Sequence, residues 1–266
     1  MRFEKIPLSE ENEAFYLDAY IADPAKAYTR KALLVIPGGG YSKVCDDREG
    51  EPIAMAFLPH GYNAFVLHYT VDRVHTFPTQ LIEATQAIKH IKDHADTYGI
   101  DPDELFVVGF SAGGHLAACT GTMWKLDAVR SAVDAPFGYC KPKGTMLIYP
   151  VISGKYHALS FNHLWATDAP TQEQLAASSV ENYIDADSAP AFLLQTANDP
   201  VVNVCNALTA AKAYAAAGIP FELHIYPNGP HGMALANKLT WHGREDLVDD
   251  RIADWVRLAA CWADNL

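Results

Sequence analysis

The stretch VVGFSAGGH, residues 107–115, decides the fold, because an apolar run ends abruptly at a serine with glycines on both sides. Gly109 and Gly113 flank Ser111 in the pattern G-x-S-x-G. The run ELFVVGF before the serine predicts a buried strand, and the alanine-rich AGGHLAACT after it predicts a helix. A serine between strand and helix, with glycines where side chains would clash, predicts a sharp turn that presents the Ser111 hydroxyl.

Similar apolar runs recur along the chain, with helical patterns between them. They are ALLVIP (32–37), NAFVLHYTV (63–71), GTMLIYPVI (144–152), APAFLLQTA (189–197) and PFELHIYP (220–227). Runs that are apolar at nearly every position are typical of strands buried on both faces. Alternating strands and helices predict an α/β fold with a mostly parallel sheet covered by helices on both faces. The segment AFYLDAYIA (14–22) alternates polar and apolar residues, which predicts an antiparallel edge strand.

One stretch, residues 153–188, breaks the alternation of strands and helices. It is rich in aromatic and polar residues, has weak periodicity and lies between two predicted strands. An insertion that covers a site has this composition, and so does an ordinary long excursion. Because the chain shows no repeat, low-complexity tract or linker, we expect one domain over residues 1–266 with a possible small cap at 153–188.

Charge and cysteine usage exclude several classes of partner. The chain has 20 Lys+Arg and 32 Asp+Glu, a formal net charge of −12, which disfavours nucleic acid. No apolar stretch is long enough to span a bilayer, and the first residues lack the apolar core of a signal peptide. Five scattered cysteines without a CxxC pair are typical of reduced thiols. We therefore expect a cytoplasmic protein without membrane partners, and the sequence does not indicate its oligomeric state.

A metal centre is not expected either. His90 and His94 have the spacing that would place both on one face of a helix, but Ile91 occupies the position where a zincin motif has glutamate. Such histidine pairs also occur on the polar faces of amphipathic helices. We expect no metal and no organic cofactor.

Partners for Ser111 follow two other predicted strands. A serine hydroxyl becomes a strong nucleophile when a histidine accepts its proton and an acid orients that histidine. Asp199 comes just after the run 189–197, and His231 comes just after the run 220–227. Because reactive groups of such sheets gather at the carboxyl ends of the strands, the sequence predicts that these three side chains meet.

Each partner has a rival in the sequence. Asp185 and Asp187 precede the strand that Asp199 follows, so they should point away from the site. His224 lies within a strand pattern, and His115 lies in the helix after Ser111. Ser111 could instead lie in a phosphate-binding turn, but no lysine follows it as in a P-loop.

Taken together, GFSAGGHLA, PGGGY, ANDPVV and ELHIYPNGPHGMALA resemble the α/β-hydrolase superfamily. Within it the chain is most similar to small bacterial acetyl esterases, acetylxylan esterases and feruloyl-esterase-like hydrolases. The similarity extends from about Ala32 to the last predicted helix. It implies that Ser111 is the nucleophile, Asp199 the acid and His231 the base, in the chain order of that superfamily.

The resemblance also implies an oxyanion hole and a substrate pocket. The N–H of Ala112 and the N–H groups of Gly39 and Gly40 correspond to the oxyanion donors. Related esterases read HGGG where this chain has Pro37 before its glycines, so the loop must be braced without that histidine. The expected pocket residues are Tyr41, Phe161, Leu164 and Trp165.

The expected function is hydrolysis of carboxylic esters through an acyl-serine, with small or carbohydrate acetyl esters as substrates. The polar composition of residues 153–188 favours a water-soluble substrate and an acetyl group over long acyl chains. Two alternatives remain at this point. An arylformamidase or peptidase could use the same three residues on an amide, and a binding protein could keep the fold without catalysis.

Overall fold

An eight-stranded sheet forms the centre of the computed structural model, which describes residues 1–24 and 28–266. Its strands are β1 Arg2–Pro7, β2 Tyr16–Ile21, β3 Arg30–Ile36, β4 Tyr62–His68, β5 Ile100–Phe110, β6 Gly144–Ile148, β7 Ala191–Thr196 and β8 Phe221–Tyr226. Their order is β1-β2-β4-β3-β5-β6-β7-β8. Strands β3 to β8 pair in parallel, whereas β1 pairs with β2 and β2 with β4 in antiparallel fashion. The predicted mostly parallel α/β sheet is confirmed.

The predicted edge strand is antiparallel, but it does not form the edge. β2 has β4 on one side and β1 on the other, in a register from Arg2 opposite Ile21 to Pro7 opposite Tyr16. Only Ile6 of β1 is buried, so its side chains carry almost no hydrophobic pattern. The prediction of an edge at residues 14–22 was wrong because the outer strand is defined by backbone pairing, which the sequence pattern does not show.

Helices cover both faces of this sheet. They are α1 Asp46–Glu49, α2 Glu51–Phe57, α3 Thr79–Asp93, α4 Ala95–Tyr98, α5 Ala112–Thr122, α6 Asp127–Ala132, α7 Ala158–Leu164, α8 Gln172–Ser178, α9 Cys205–Ala217, α10 Asp250–Ala253 and α11 Trp255–Asp264. Short 3₁₀ turns occur at Leu58–His60, Val180–Asn182 and Glu245–Leu247. Within the described ranges, none of the helices combines the length and the apolarity that crossing a bilayer requires.

Two apolar cores lie on opposite sides of the sheet. Because successive side chains of a strand point to opposite faces, β3 places Leu34 in one core and Val35 in the other. Helices α3, α5 and α9 pack on the first core, and α2 and α11 pack on the second. Burial on both faces explains why the central strands are apolar at almost every position.

Residues 153–188 form a short helical segment between β6 and β7, which contains α7 and α8. Phe161 of α7 packs with Val151 and Val202 in a small apolar cluster. A capping box at Thr171 and Gln174 starts α8. The segment therefore packs against residues that follow β6 and β7.

Candidate active site

Ser111 lies on a tight turn between β5 and α5. Its φ and ψ are 54° and −119°, a conformation that costs a non-glycine residue about 1–3 kcal/mol. A Cβ on Gly109 would lie 2.2 Å from the carbonyl oxygen of Gly113, and a Cβ on Gly113 would lie 2.2 Å from that of Ile36. The flanking glycines are therefore required by close backbone contacts, as the pattern G-x-S-x-G predicts.

A chain of hydrogen bonds joins Ser111, His231 and Asp199. His231 Nε2 lies 2.8 Å from Ser111 Oγ, and His231 Nδ1 lies 2.7 Å from Asp199 Oδ2. An ionised carboxylate only accepts hydrogen bonds, so Nδ1 carries the proton and Nε2 accepts the Ser111 O–H. The structure thus brings together the three residues that follow β5, β7 and β8, in the protonation state that a general base requires.

The rival residues lie elsewhere in hydrogen-bond pairs of their own. Asp185 and Asp187 accept from Lys125 Nζ at 2.6 and 2.8 Å. His224 lies within β8 and pairs with the Glu222 carboxylate at 2.6 Å. These pairs leave the position beside His231 to Asp199.

Backbone N–H groups lie beside Ser111 without acceptors. In the described part of the chain, the N–H groups of Gly39, Gly40 and Ala112 donate to no other residue. The Gly38 N–H, by contrast, donates to Glu49 Oε2 at 2.8 Å. Gly39 and Gly40 also line the same cavity as Ser111.

The glycine loop is braced without the histidine of related esterases. Tyr69 donates its hydroxyl to the Pro37 carbonyl at 2.9 Å, and the Cys45 N–H donates to the Gly38 carbonyl at 3.0 Å. Glu49 accepts the Gly38 N–H from the other side. The side chains of Tyr69, directly after β4, and of Glu49 in α1 therefore hold the loop that Pro37 begins.

Glu49 also connects this loop to the loop that carries His231. Its side chain is buried, and its Oε1 accepts the Tyr149 hydroxyl at 2.9 Å. That hydroxyl in turn accepts the Ala234 N–H at 3.0 Å, and the Tyr149 ring packs edge-on against the His231 ring at 4.9 Å. Burial raises the pKa of Glu49, while Arg48 and the Gly38 N–H oppose the rise. Sequence reasoning missed Glu49 because a glutamate in DDREGEP is typical of an exposed turn.

Beneath the site, Tyr41 contacts a buried histidine of α5. His115 Nε2 lies 2.6 Å from the Ser178 carbonyl, so Nε2 carries the proton and Nδ1 accepts the Tyr41 hydroxyl at 2.7 Å. Burial lowers the pKa of His115 to about 4. His115 therefore links the glycine loop, α5 and the end of α8.

The cavity in front of Ser111 has a volume of about 210 Å³. Its wall includes one face of α7, the glycine loop and the loop that carries His231. The side chains that contribute to it are those of His157, Leu159, Ser160, His163, Arg48 and Val201. The expected pocket residues Tyr41, Phe161, Leu164 and Trp165 do not line it. Phe161 and Leu164 are each 1% exposed because they lie on the buried face of α7, whereas Leu159, Ser160 and His163 line the cavity. Trp165 donates from its indole to Ser178 Oγ at 2.9 Å.

The histidine pair at the C-terminal end of α3 makes local contacts. The rings of His90 and His94 stack at 4.2 Å. His94 Nδ1 bonds the carbonyl of His90, and His90 Nε2 bonds the Tyr98 hydroxyl. Over residues 1–24 and 28–266, no group of three or more His, Cys, Asp or Glu side chains is arranged to hold a metal ion.

Comparisons with known proteins agree with the fold. The BD-FAE family profile matches residues 17–214. Endo-1,4-beta-xylanase B of Butyrivibrio fibrisolvens is 39% identical over 217 residues, which cover 78% of this chain and 33% of that protein. The acetylxylan esterase of Xylanibacter ruminicola is 28% identical over 238 residues, which cover 85% of this chain and 45% of that protein. The chain therefore spans less than half the length of these relatives.

One solved structure matches almost the whole chain. The acetyl ester-xyloside bifunctional hydrolase from Caldicellulosiruptor lactoaceticus superposes with a TM-score of 0.83 at 32% sequence identity. The alignment covers 99% of this chain and 96% of that one. The alignment therefore includes essentially all of the central sheet, the helices and the segment between β6 and β7.

Proposed function

The chain belongs to the BD-FAE family, and we propose that it is a carboxylic ester hydrolase of the α/β-hydrolase fold that works through an acyl-serine. The observation that carries this proposal is the hydrogen-bonded chain from Ser111 through His231 to Asp199. It lies beside N–H groups that have no other acceptor among the described residues. Nucleophile, base, orienting acid and oxyanion donors are the four parts that acyl transfer requires.

In the proposed reaction, Ser111 Oγ attacks the acyl carbonyl carbon while His231 Nε2 takes the hydroxyl proton. The carbonyl oxygen becomes an oxyanion that accepts N–H bonds from Ala112 and the Gly39–Gly40 loop. His231 then gives its proton to the leaving alkoxide, which departs as the alcohol. A water molecule, deprotonated by His231, then attacks the acyl carbon; the bond from this carbon to Ser111 Oγ breaks, Oγ regains a proton from His231, and the acid leaves. Asp199 holds the imidazole and stabilises its charged form.

Acetyl esters of carbohydrates are the proposed substrates. One relative is named an acetylxylan esterase, and one matching structure is named an acetyl ester-xyloside bifunctional hydrolase. A cavity of about 210 Å³ suits a small acyl group, and its wall contains several polar side chains. The chemistry proceeds with protein groups and water, so the proposal includes no cofactor.

We also propose that residues 1–266 form one domain, with residues 153–188 as a fixed cover. His157 Nδ1 bonds the Val201 carbonyl at 3.2 Å, and His163 Nδ1 bonds the Gly40 carbonyl at 2.8 Å. These contacts attach the segment to the loops after β7 and β3. Limited proteolysis should leave the segment in the resistant core, whereas early cleavage within it would contradict a fixed cover.

A cytoplasmic location is proposed on thiol chemistry. All five cysteines are free, and Cys45, Cys119 and Cys140 are buried. Free thiols persist in a reducing compartment. Fractionation of the producing cells should recover the protein with the cytoplasmic markers, and recovery outside the cell would contradict this location.

Release of acetate tests the proposed function. The protein should hydrolyse p-nitrophenyl acetate and release acetate from acetylated xylan, and the Ser111→Ala variant should lose both activities. The amide counterpart of this ester, p-nitroacetanilide, tests the amide alternative. If it were hydrolysed faster than p-nitrophenyl acetate, an amidase would be favoured. A folded protein that hydrolyses neither substrate would contradict the proposal and favour a binding protein.

A further inference from the structure

Two histidines of the cover have the same contact on one side of their rings. His157 and His163 each direct Nδ1 at a backbone carbonyl, of Val201 and Gly40 respectively. A carbonyl oxygen can only accept a hydrogen bond, so Nδ1 carries the proton in both rings. In the neutral imidazole, Nε2 is then a hydrogen-bond acceptor.

The two rings differ at Nε2. His157 Nε2 accepts the Ser160 hydroxyl at 3.0 Å, so its lone pair is used within the segment. His163 Nε2 has no hydrogen-bond partner among the described residues, and it is not a buried unpaired atom. His163 lines the cavity in front of Ser111, and its Nε2 is not enclosed by the protein.

The ring that carries this free acceptor lies next to the glycine loop. A Cβ on Gly40 would lie 3.9 Å from His163 Nδ1, so the ring is adjacent to the backbone that receives the ester oxygen. An acetyl group offers only a methyl and a carbonyl, neither of which donates a conventional hydrogen bond. Of the two halves of an acetyl ester, only the alcohol half can therefore supply a donor to His163 Nε2.

We propose that His163 is a specificity-determining residue whose Nε2 accepts a hydrogen bond from a free hydroxyl near the ester in the alcohol half. This inference rests on the proposed function and adds the residue that recognises the alcohol half, the polyol of a partly acetylated sugar. Leu159 and Val201, which are 57% and 51% exposed, line the same cavity and offer apolar surface to the C–H face of a sugar ring. Esters of simple alcohols carry no such hydroxyl.

The test compares two substrates within each variant. One is a methyl xyloside with a single acetyl group, and the other is the same compound with its free hydroxyls replaced by hydrogen. The wild type should show a kcat/KM about 3- to 10-fold higher for the hydroxylated substrate, as one hydrogen bond supplies. In His163→Asn the side-chain amide can still reach the Gly40 carbonyl, but no atom occupies the position of Nε2. The ratio between the two substrates should therefore fall to about one.

His157→Asn is the matched control, because it removes an Nε2 that already has a partner. It should keep the wild-type ratio between the two substrates even if its absolute rates change. A ratio unchanged in His163→Asn, or lowered equally in both variants, would overturn the role of His163. So would a wild-type enzyme that hydrolyses p-nitrophenyl acetate without favouring the hydroxylated xyloside. Failure of the proposed function has a different signature, since p-nitrophenyl acetate would then not be hydrolysed, or Ser111→Ala would hydrolyse it equally well.

Discussion

At the scale of single residues, Asp199 uses both oxygens of its carboxylate. Oδ1 accepts the N–H groups of Val201 and Val202 at 2.8 and 2.9 Å, and Oδ2 accepts from His231. Two backbone donors fix the orientation of the carboxylate before it meets the histidine. The acid is therefore held by its own turn, and the imidazole is aligned by the acid.

Asp199→Asn should lower kcat by about 10⁴, the loss known for this change in a serine protease, because an amide N–H at Oδ2 would favour the wrong imidazole tautomer. The measurement is steady-state hydrolysis of p-nitrophenyl acetate. Asp187→Asn, which changes an exposed partner of Lys125, is the control and should keep kcat within about twofold. Equal losses in the two variants would exclude Asp199 as the orienting acid.

Glu49→Gln should lower kcat by about 10- to 100-fold with a smaller change in KM. Gln can accept only one of the two hydrogen bonds that Gly38 and Tyr149 donate, and leaving a buried donor without an acceptor costs about 1–3 kcal/mol. The loop that presents the oxyanion donors would then lose one of its braces. Glu51→Gln changes a neighbouring exposed carboxylate and should have wild-type kcat. A full-activity Glu49→Gln variant would show that Pro37 and Tyr69 brace the loop without it.

At the scale of elements, the strands and their ends could be predicted from the sequence. Which side of the short helix α7 lines the cavity could not. Residues that follow β5, β7 and β8 meet because parallel strands end at one edge, so strand placement, the G-x-S-x-G pattern and the chain order together pointed to Ser111, Asp199 and His231. Which side chains of α7 are buried depends on the residues at the sheet edge that it packs against. The weak periodicity of this segment in the sequence does not determine them. Glu49 and His163 act across loops that are distant in sequence, and no local pattern indicates such contacts.

Because the cover, residues 153–188, is attached to the neighbouring loops, we expect the acyl pocket to be short. Because His157 and His163 attach α7 to the neighbouring loops, the cavity of about 210 Å³ should not widen for long chains. We expect kcat/KM to fall from p-nitrophenyl acetate through the butyrate to the octanoate. In an open apolar groove each added methylene would instead contribute about 0.8 kcal/mol, so a rise along this series would contradict a closed pocket.

At the scale of the whole molecule, His115 connects parts of the fold that are distant in sequence. Its ring lies between the Tyr41 hydroxyl and the Ser178 carbonyl, so it joins the glycine loop, α5 and the cover. Burial keeps this ring neutral, since its pKa is lowered to about 4. An unfolded chain has an ordinary histidine pKa of about 6.5.

Stability should therefore fall as the pH is lowered from about 6.5 towards 4, because the unfolded state then binds a proton that the folded state excludes. Between about pH 7 and pH 5 the His115 contribution amounts to about 2 kcal/mol. Urea unfolding of the wild type and His115→Gln at the two pH values measures it. The variant should lose about 2 kcal/mol less than the wild type on acidification, whereas parallel losses would show that His115 is not the group responsible.

Covalent labelling tests the central claim, that Ser111 is the nucleophile, most directly. A serine-directed fluorophosphonate should add once to the wild-type protein, and peptide mapping by mass spectrometry should place the adduct on Ser111. Ser111→Ala should remain folded and unlabelled, with any residual hydrolysis limited to about 10³–10⁴-fold over water from the remaining parts of the site. An adduct on another residue, or wild-type turnover by Ser111→Ala, would contradict the proposed mechanism.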